Sequence, residues 1–461
     1  MSTFVVILNE TLMGVALPHV MADLRIDASA AQWLTSAFML TMAVVIPVTG
    51  FLLRRFTTRT VFIIAMTLFS AGTLFAAASA RFEPLVGARI VQASGTAIMV
   101  PLLFTTVLTL VPESSRGRAM GNISIVTSVA PAIGPTISGA ILSVLHWRWM
   151  FILVLPIAIA SLILGIARVQ NVTELRQSQL DVLSVILSGF GFGGVVYGLS
   201  ATGTSAGGIR SSSVWLPLLV GAVALTAFIV RQLQMQPREM QLLDLRAFRS
   251  KTFTIAVIVM TIHIIVLFGT IILLPIYTQN VLHLTPIATG LLLLPGGLFF
   301  GLLGPIVGRS YDRIGPTVLL ITGAVIVSAS LWGMVLLDTH SYPWMVLAAH
   351  SLLCVGFALL FTPLFTASLS ALPVHLYSYG SVIVGTVQQL AGAAGSALFV
   401  SILTATVIEQ RKSGLMEVDA TAAGIHSALL CAAITSLAGI PLAFFIRRAP
   451  PPTPVSAGGA Q

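Results

Sequence analysis

The stretch VLLITGAVIVSASLWGMVLL, residues Val318–Leu337, carries no charged residue over its whole length. A helix of about 20 residues is long enough to cross the hydrocarbon core of a lipid bilayer. Backbone amides and carbonyls inside lipid must bond to each other, which leaves the helix as the conformation of such a crossing segment. Asp312 and Asp338 flank the stretch, where the polar surfaces of the membrane would lie. We therefore predict a transmembrane helix here.

The rest of the chain repeats this pattern. Of its 461 residues, 57% are hydrophobic and 8% are charged, whereas about a quarter of the residues of a soluble domain are charged. Strands of a β-barrel would be about ten residues long and would alternate in polarity, which is not the pattern here. We predict an all-α membrane protein with fourteen transmembrane helices, at residues 3–21, 32–53, 60–79, 84–110, 117–142, 148–168, 181–200, 214–232, 253–276, 287–308, 316–337, 343–364, 380–407 and 425–446.

The basic residues predict which helix ends face the cytoplasm. The chain carries 23 Lys and Arg against 14 Asp and Glu, a formal net charge of +9. With the N-terminus inside, sixteen of the 23 lie on the cytoplasmic side, six lie outside and Arg89 lies within a span. Because Lys and Arg favour the cytoplasmic side, we expect a multi-pass protein of the cytoplasmic membrane with both termini inside. In short loops these charges contact anionic lipid, so nucleic acid is not expected as a partner.

Several classes of chemistry lack their sequence signatures. Cys354 and Cys431 lie inside apolar runs, and no CxxC or His-rich run indicates a metal site. A glycine-rich phosphate loop is absent from the sequence, so ATP is not expected to supply energy. No Ser-His-Asp set or carboxylate pair can be placed in one site by spacing. We expect no cofactor, no metal and no enzymatic activity.

Two loops resemble each other and predict an internal repeat. Gly50 precedes Arg55 by five residues after the second span, and Gly308 precedes Arg313 by five residues after the tenth. We interpret each glycine as a helix end followed by a short cytoplasmic loop. If span 10 corresponds to span 2, then spans 1–6 and 9–14 form two equivalent bundles, as transporters have, and spans 7–8 are an insert.

The repeat predicts how the chain divides into domains. We expect two six-helix bundles, an inserted two-helix segment with a basic linker, and a disordered tail rich in Pro, Ala and Gly. In chain order these are residues 1–170 for the first bundle, 171–250 for the insert and linker, 251–449 for the second bundle and 450–461 for the tail.

The first of these loops carries a recognisable motif. The chain resembles the major facilitator superfamily, whose loop motif is G-x-L-x-D-R-x-G-R-K. Four residues match it, but Arg54 stands at the aspartate position and Thr57 at a glycine position; the matching residues are Gly50, Leu52, Arg55 and Arg59. The second copy keeps Asp312, Arg313 and Gly315. The resemblance implies that Arg55, Arg59, Asp312 and Arg313 gate the cytoplasmic side.

The resemblance covers nearly the whole chain and is closest to the fourteen-span drug:proton antiporter branch. Within that branch the chain is similar to a lincomycin-efflux subgroup, on the runs Asn9-Glu10-Thr11, Ala16-Leu17-Pro18, Phe51-Leu52-Leu53 and Phe56-Thr57-Thr58-Arg59. It implies the major facilitator fold, two six-helix bundles plus two inserted helices, and proton-coupled export of small molecules.

Glu10 is the acidic residue that we expect to carry the proton. It lies well inside the first span, where an ionised carboxylate costs at least about 2–3 kcal/mol and usually serves function. Removal from water favours its protonated form. The family's acid in this span falls at Asn9, about 100° away around the helix. The alternative is a carboxyl group that only hydrogen-bonds near the helix end.

Arg89 lies in the run Arg89-Ile-Val-Gln92-Ala-Ser-Gly95, which resembles the family's R-x-x-Q-G motif. An arginine cannot practically lose its proton, so it would favour the ionised form of a nearby carboxylate and help to expel its proton. Gln92 lies one turn further on the same face. The alternative is an arginine that caps carbonyls or extends to the membrane surface.

The fifth span matches the family's antiporter motif, G-x8-G-x3-G-P-x2-G-G, in spacing. Ala130 and Ser138 stand as small substitutes for two glycines, and the remaining positions are Gly121, Gly134, Pro135 and Gly139. Small residues let helices approach closely, and proline bends a helix. The resemblance favours export over uptake, whereas ordinary helix packing is the alternative.

Substrate contacts are predicted less sharply. Gln388 and Gln389 could bind substrate or merely join helices, and His263 could titrate, bind substrate or only pack. The full set of substrate-binding candidates is Asn9, Met13, Phe38, Gln92, Met99, His263, Phe361, Gln388 and Gln389. They would line a central cavity that opens alternately to the two sides.

The sequence thus predicts a monomeric, proton-coupled antiporter that exports small lipophilic drugs, cations among them, and contributes to antibiotic resistance. Its partners are the small-molecule substrate, protons and the lipid bilayer. One alternative is a dedicated proton-coupled exporter of a single endogenous metabolite, lipid or peptide. Others are a non-transporting membrane sensor or scaffold and, third, a membrane enzyme.

Overall fold

The computed structural model describes residues 2–26, 28–171, 181–201, 211–236 and 241–447. The basic residues Arg176, Arg210, Arg238 and Arg448 and the expected disordered tail, 450–461, lie outside these ranges.

The first half of the chain forms six long helices, and an additional pair follows them. We call α1–α6 the first half. The helices are α1 (Ser2–Leu24), α2 (Ala28–Arg55), α3 (Thr58–Ala78), α4 (Phe82–Leu110), α5 (Arg116–Leu142), α6 (Trp149–Arg168), and the pair α7 (Val182–Ala201) and α8 (Ser212–Met235).

The second half, α9–α16, begins after a short linker. Its helices are α9 (Lys251–Ile276), α10 (Pro286–Leu302), α11 (Gly304–Ile314), α12 (Pro316–Val335), α13 (Pro343–Ser370), α14 (Tyr377–Lys412), α15 (Glu417–Leu437) and α16 (Gly439–Ala443). Two of the starts are capped by hydroxyl groups, since Ser250 accepts from Phe253 N–H and Thr285 accepts from Ala288 N–H. Such caps satisfy backbone donors that the helix itself leaves unpaired.

The helices confirm the expected all-α membrane architecture. Among the described residues, 13 helices are long and apolar enough to cross a membrane, or up to 14 if the bent α1 is one span. α1 bends by 61° between its segments Ser2–Met13 and Ala16–Leu24. The chain is therefore a multi-pass membrane protein with 13 to 14 spans.

The interpretation of Gly50 and Gly308 as helix ends was wrong. α2 continues through Gly50 to Arg55, and α11 continues through Gly308 to Ile314. The helix end lies at Gly315, whose φ of +80° is accessible to glycine and strained for other residues. Gly50 and Gly308 instead lie where a second backbone approaches the helix closely.

The predicted ends of several transmembrane helices were also wrong. The tenth predicted span, 287–308, is α10 followed by α11, with a break at Leu303 before Pro305. Arg411 and Lys412 lie in the last turn of α14, not in a loop. The last predicted span, 425–446, is α15 from Glu417 followed by the short α16. Polar residues at helix ends had concealed these extensions.

Helices pack extensively within each half and within the inserted pair. In the first half α3 packs on α4 and α6, and α1 packs on α5; in the second, α13 packs on α10 and α12, and α9 packs on α14. Helices α7 and α8 pack on each other, and α7 also lies against α2 and α14. The domain boundaries after residues 170 and 250 remain our proposal.

Candidate functional site

Arg89 lies inside the first half with only 1% of its surface exposed. Its Nη1 donates to Gln92 Oε1 at 2.6 Å and to Asn9 Oδ1 at 3.3 Å. Its Nε donates to the carbonyl of Leu34 at 3.5 Å, and its guanidinium lies 4.1 Å from the ring centre of Phe38. A buried cation is costly unless its donors are satisfied. Here neutral oxygens and an aromatic face satisfy them.

Gln92 extends this network to a fourth helix, α3. Its Nε2 donates to Thr73 Oγ1 at 2.8 Å, and Thr73 Oγ1 donates in turn to the Phe69 carbonyl at 2.7 Å. α3 approaches α4 closely at Gly72, where any side chain would collide with the backbone of Gln92. The sequence reasoning missed Thr73, although a threonine inside an apolar span was a usable signal.

Glu10 lies on α1 beside this network, and its side chain is partly exposed. It interacts electrostatically with Arg89, but among the described residues no ion pair joins the two side chains directly. Asn9, not Glu10, bonds to the guanidinium. The carboxyl group therefore lies within the field of a buried cation without being bonded to it.

The two halves meet at the membrane face where the described chain begins at Ser2 and ends at residue 447, which we call the terminal face. Here Asp312 of α11 accepts from the backbone N–H groups of Gly117 at 2.8 Å and Arg118 at 2.9 Å. A carboxylate at this position caps the start of α5 and is attracted by the positive end of the helix. We call this contact the Asp312 junction.

Glycines bring the two backbones together beside that junction. Gly117 and Gly121 of α5 face Gly304 and Gly308 of α11, and a side chain at any of the four would collide with backbone across the interface. Each pair is spaced by four residues and so lies on one face of its helix. The sequence reasoning missed Gly117 and Gly304, although this spacing was visible.

Further contacts join the halves between the terminal face and the middle of the membrane. Ser124 of α5 hydrogen-bonds Thr362 of α13 at 2.8 Å. The rings of Phe104 in α4 and Phe365 in α13 stack at 5.1 Å between centres. Through these contacts, the described part of the molecule is closed at the terminal face.

The predicted antiporter motif of α5 divides between two roles in the structure. Gly121 lies in the interface with α11, whereas Gly134 packs against Thr11 of α1, the neighbour of Glu10. Ser138 donates to the Leu12 carbonyl at 3.0 Å. Nothing lies within 4 Å of the position where a Gly139 side chain would begin. The side chain of Pro135 lies outside what the structure describes.

The gating role of the arginines stays a prediction. Arg55, Arg59 and Arg313 are all exposed at the terminal face. The backbone N–H of Arg59 donates to Asn171 Oδ1 at 3.2 Å, after the end of α6.

Most substrate-binding candidates are buried in this conformation. Gln388 and Gln389 are partly exposed, whereas seven others are at most 5% exposed: Asn9, Met13, Phe38, Gln92, Met99, His263 and Phe361. His263 Nδ1 lies 2.8 Å from the Val259 carbonyl, and its ring lies against Gly439 inside the second half. Direct contact of these seven residues with a ligand would require a rearrangement, and their role stays a prediction.

Two ion pairs lie near the inserted helices at the terminal face. Arg231 donates to both oxygens of Asp181, at 2.6 and 2.7 Å, and these hydrogen bonds lower the pKa of Asp181. Burial alone would raise the pKa of Asp244. Hydrogen bonds from Arg246 outweigh that effect, so the pKa is lowered from its ordinary value. Both carboxylates therefore remain charged at neutral pH. No cluster of three potential metal ligands occurs among the described residues.

Sequence comparison relates the chain to known transporters. The family model described as Major Facilitator Superfamily matches residues 1–396. The uncharacterized MFS-type transporter YcnB of Bacillus subtilis (strain 168) is 42% identical over 446 residues, which cover 96% of this chain and 93% of that protein. The lincomycin resistance protein LmrB of the same strain is 40% identical over 452 residues, covering 96% and 94%.

Solved structures share the arrangement of helices. The human organic anion transporter MFSD10 (TETRAN) superposes with a TM-score of 0.66 and 13% sequence identity, covering 96% of this chain and 98% of that one. The proton:xylose symporter XylE superposes with a TM-score of 0.61 and 15% identity, covering 95% and 94%. At this level of identity the likeness concerns the fold alone.

Proposed function

The chain belongs to the Major Facilitator Superfamily, and we propose that it exports small lipophilic drugs, cations among them, in exchange for protons. Its fold is that of major facilitator transporters, as the sequence predicted, and its relatives include a lincomycin resistance protein. A small-molecule substrate and a membrane location follow from the family. Drug specificity, proton coupling, the orientation of the termini in the cytoplasmic membrane and the monomeric state are our proposals.

The observation that supports proton coupling is the relationship between Glu10 and Arg89. An acidic residue lies inside a membrane span, in the field of a cation whose hydrogen bonds are taken up by neutral partners. Because the two groups are not directly paired, Glu10 can exchange a proton or attract a cation without first breaking an ion pair. Intramembrane carboxylates with this environment typically serve proton relays.

The closed terminal face suggests which step of the cycle this conformation represents. If the basic terminal face is cytoplasmic, the molecule is closed to the cytoplasm and Glu10 takes up a proton from outside. Drug and proton then compete for the same carboxylate, which is the coupling that antiport requires. After the halves rock, the cytoplasmic drug displaces the proton.

The test is drug-triggered proton release from acidified proteoliposomes that contain the purified protein. Lincomycin, ethidium and tetraphenylphosphonium serve as chemically different probes. We expect release with wild type and its loss with Glu10→Gln. Glu83→Gln is the matched control, because Glu83 is an exposed carboxylate in the first turn of α4.

Each other outcome has a definite meaning. Normal proton release by Glu10→Gln would contradict the role of Glu10. Silence of the wild type with all probes would contradict drug antiport. A response to one compound class alone would favour the dedicated exporter over the multidrug exporter.

A further inference from the structure

The linker between the halves reaches the terminal face at a point shared by both of them. The carbonyl of Gln241 accepts from Arg54 Nη2 at 3.0 Å and from the Tyr379 hydroxyl at 3.5 Å. The Arg54 guanidinium also lies 4.3 Å from the ring centre of Tyr379. Arg54 lies in the last turn of α2 of the first half, and Tyr379 lies in the first turn of α14 of the second. We call this contact the Gln241 junction.

The identity of residue 54 explains why a third component is needed here. At the Asp312 junction a carboxylate of one half meets the N-terminal end of a helix in the other half. At the Gln241 junction the corresponding residue is Arg54, and the start of α14 carries the positive end of its helix dipole. Two positive groups do not attract each other, so acceptors must come from elsewhere. Besides the Gly50 carbonyl of its own helix, which accepts from Arg54 Nε at 3.3 Å, the Gln241 carbonyl and the Tyr379 ring provide them.

The inserted pair holds this carbonyl in position through Gln232 of α8. The Gln232 side chain is completely buried. Its Oε1 accepts from the backbone N–H groups of Leu242 at 2.7 Å and Leu243 at 3.0 Å. Its Nε2 donates to Ser184 Oγ of α7 at 2.8 Å. The residues directly after Gln241 are therefore anchored to α7 and α8.

Helices α7 and α8 pack tightly on each other, and α7 also packs on one helix from each half. Gly191, Gly194 and Gly198 of α7 face α8 without room for side chains of their own. On its other side α7 reaches α2, where Tyr197 stacks on Trp33 at 5.7 Å between ring centres. Because α7 also packs on α14, the pair lies beside both halves.

We propose that α7, α8 and residues 241–243 form a third component of the terminal-face gate, with Gln232 as a positioning residue. Gln232 acts through the Gln241 carbonyl, which holds Arg54 and Tyr379 together when this face is closed. The inserted helices thereby take over the function of the aspartate that the family's loop motif places at position 54. This inference rests on the proposed alternating-access function.

The test measures how the two halves are distributed between closed and open states. Spin labels at Arg59 and Val374, both exposed at the terminal face, report the distance between the halves in proteoliposomes. Gln232→Leu removes the acceptor for two backbone donors but keeps a similar side-chain volume. We expect roughly a tenfold rise in the ratio of long to short distances. Gln234→Leu, an exposed glutamine on the same helix, is the matched control and should leave the ratio unchanged.

A second mutant background distinguishes loss of the positioning role of Gln232 from general destabilisation of the protein. In the double variant Arg54→Leu/Tyr379→Phe both donors to the Gln241 carbonyl are removed, so adding Gln232→Leu should produce no further opening. Additive effects, or an unchanged ratio in a folded Gln232→Leu protein, would overturn the proposal. If Gln232→Leu does not fold, Tyr379→Phe provides the decision. It keeps the ring but removes the hydroxyl, and an unchanged ratio would also overturn the proposal.

The same vesicles separate this proposal from the proposed function. Opening by Gln232→Leu without any drug-triggered proton release in wild type would contradict drug antiport and leave the gate supported. Normal proton release in wild type with no change in distance for Gln232→Leu would contradict the gate alone.

Discussion

Arg89 donates a 2.6 Å hydrogen bond to Gln92, so the buried cation of the first half is held by a neutral amide and not by a carboxylate. The consequence is that, among the described residues, no ion pair involves Glu10 in this conformation. Arg89 and Glu10 are neighbours but are not bonded to each other. This supports the proposal that Glu10 exchanges a proton, because no ion pair with Arg89 has to break first. The residues that satisfy the buried cation therefore differ from the residue that we propose to carry the proton.

Gln92→Ala should destabilise the protein. The change removes the nearer acceptor of Arg89 Nη1, which keeps only the 3.3 Å bond to Asn9, and it removes the donor to the Thr73 hydroxyl. We expect the free energy of unfolding to fall by about 2–3 kcal/mol, since a buried charged donor loses its nearer acceptor. Thermal unfolding in detergent measures the change, and Gln234→Ala on the surface of α8 is the control. Equal midpoints for the two variants would show that the network does not stabilise the fold.

Asp312→Asn should weaken closure of the terminal face. Asparagine keeps one acceptor oxygen but loses the charge and one of the two hydrogen bonds to α5. A helix cap contributes about 1 kcal/mol, so we expect the open state to gain roughly fivefold. Spin labels at Asn122 and Arg309, exposed on α5 and α11, measure the separation. Asp338→Asn, in the loop at the opposite face, should have no effect.

Gly121→Ala should abolish transport while the protein still inserts. The added methyl group would meet the backbone of Gly304, so the two halves could not approach as closely. Gly139→Ala is the matched control on the same helix, because no atom lies within 4 Å of the new methyl group. Both changes raise helix propensity to the same extent, by about 1 kcal/mol. Drug transport by the two variants should therefore differ only through the interface, and equal activity would contradict the role of Gly121 in closure.

Asp181→Asn should lower stability in a way that depends on pH. Arg231 lowers the pKa of Asp181 in the folded protein, so the ion pair stabilises the fold at every pH above the unfolded value of about 3.9. The difference in melting temperature between wild type and variant should be constant from pH 8 to about pH 4.5 and should shrink as the pH falls below about 4. A difference that already disappears between pH 7 and pH 5 would assign the effect to another group. Glu83→Gln should match the wild type throughout.

The apolar runs predicted the span count because a run of about twenty residues is a local property of the sequence. Val318–Leu337 and α12 agree to within two residues at each end. Gly50 and Gly308 were misassigned because their role depends on helices far away in sequence. Gly308 meets Gly117, and Gly50 lies beside Leu242 and Val382.

In the candidate site, too, contacts within one helix could be predicted from the sequence, whereas contacts between helices could not. The pairing of Arg89 with Gln92 was predictable, since residues three apart share a helix face. The choice of Asn9 over Glu10 as the partner of Arg89 was not, because it depends on the rotation of α1 against α4. The sequence did not indicate a role for three other residues for the same reason. Each forms its hydrogen bond with a partner on another helix or in the linker; they are Thr73, Gln232 and Gln241.

The backbone contact between Gly121 and Gly304 has a consequence for the leak of protons across the membrane. Two glycine backbones in direct contact leave no room for a file of water molecules between them. Protons move along such files, so the contact between α5 and α11 should not conduct protons in this conformation, and we expect the closed protein to add little proton leak. Electrical leak measured on planar bilayers should accordingly stay at the level of lipid alone.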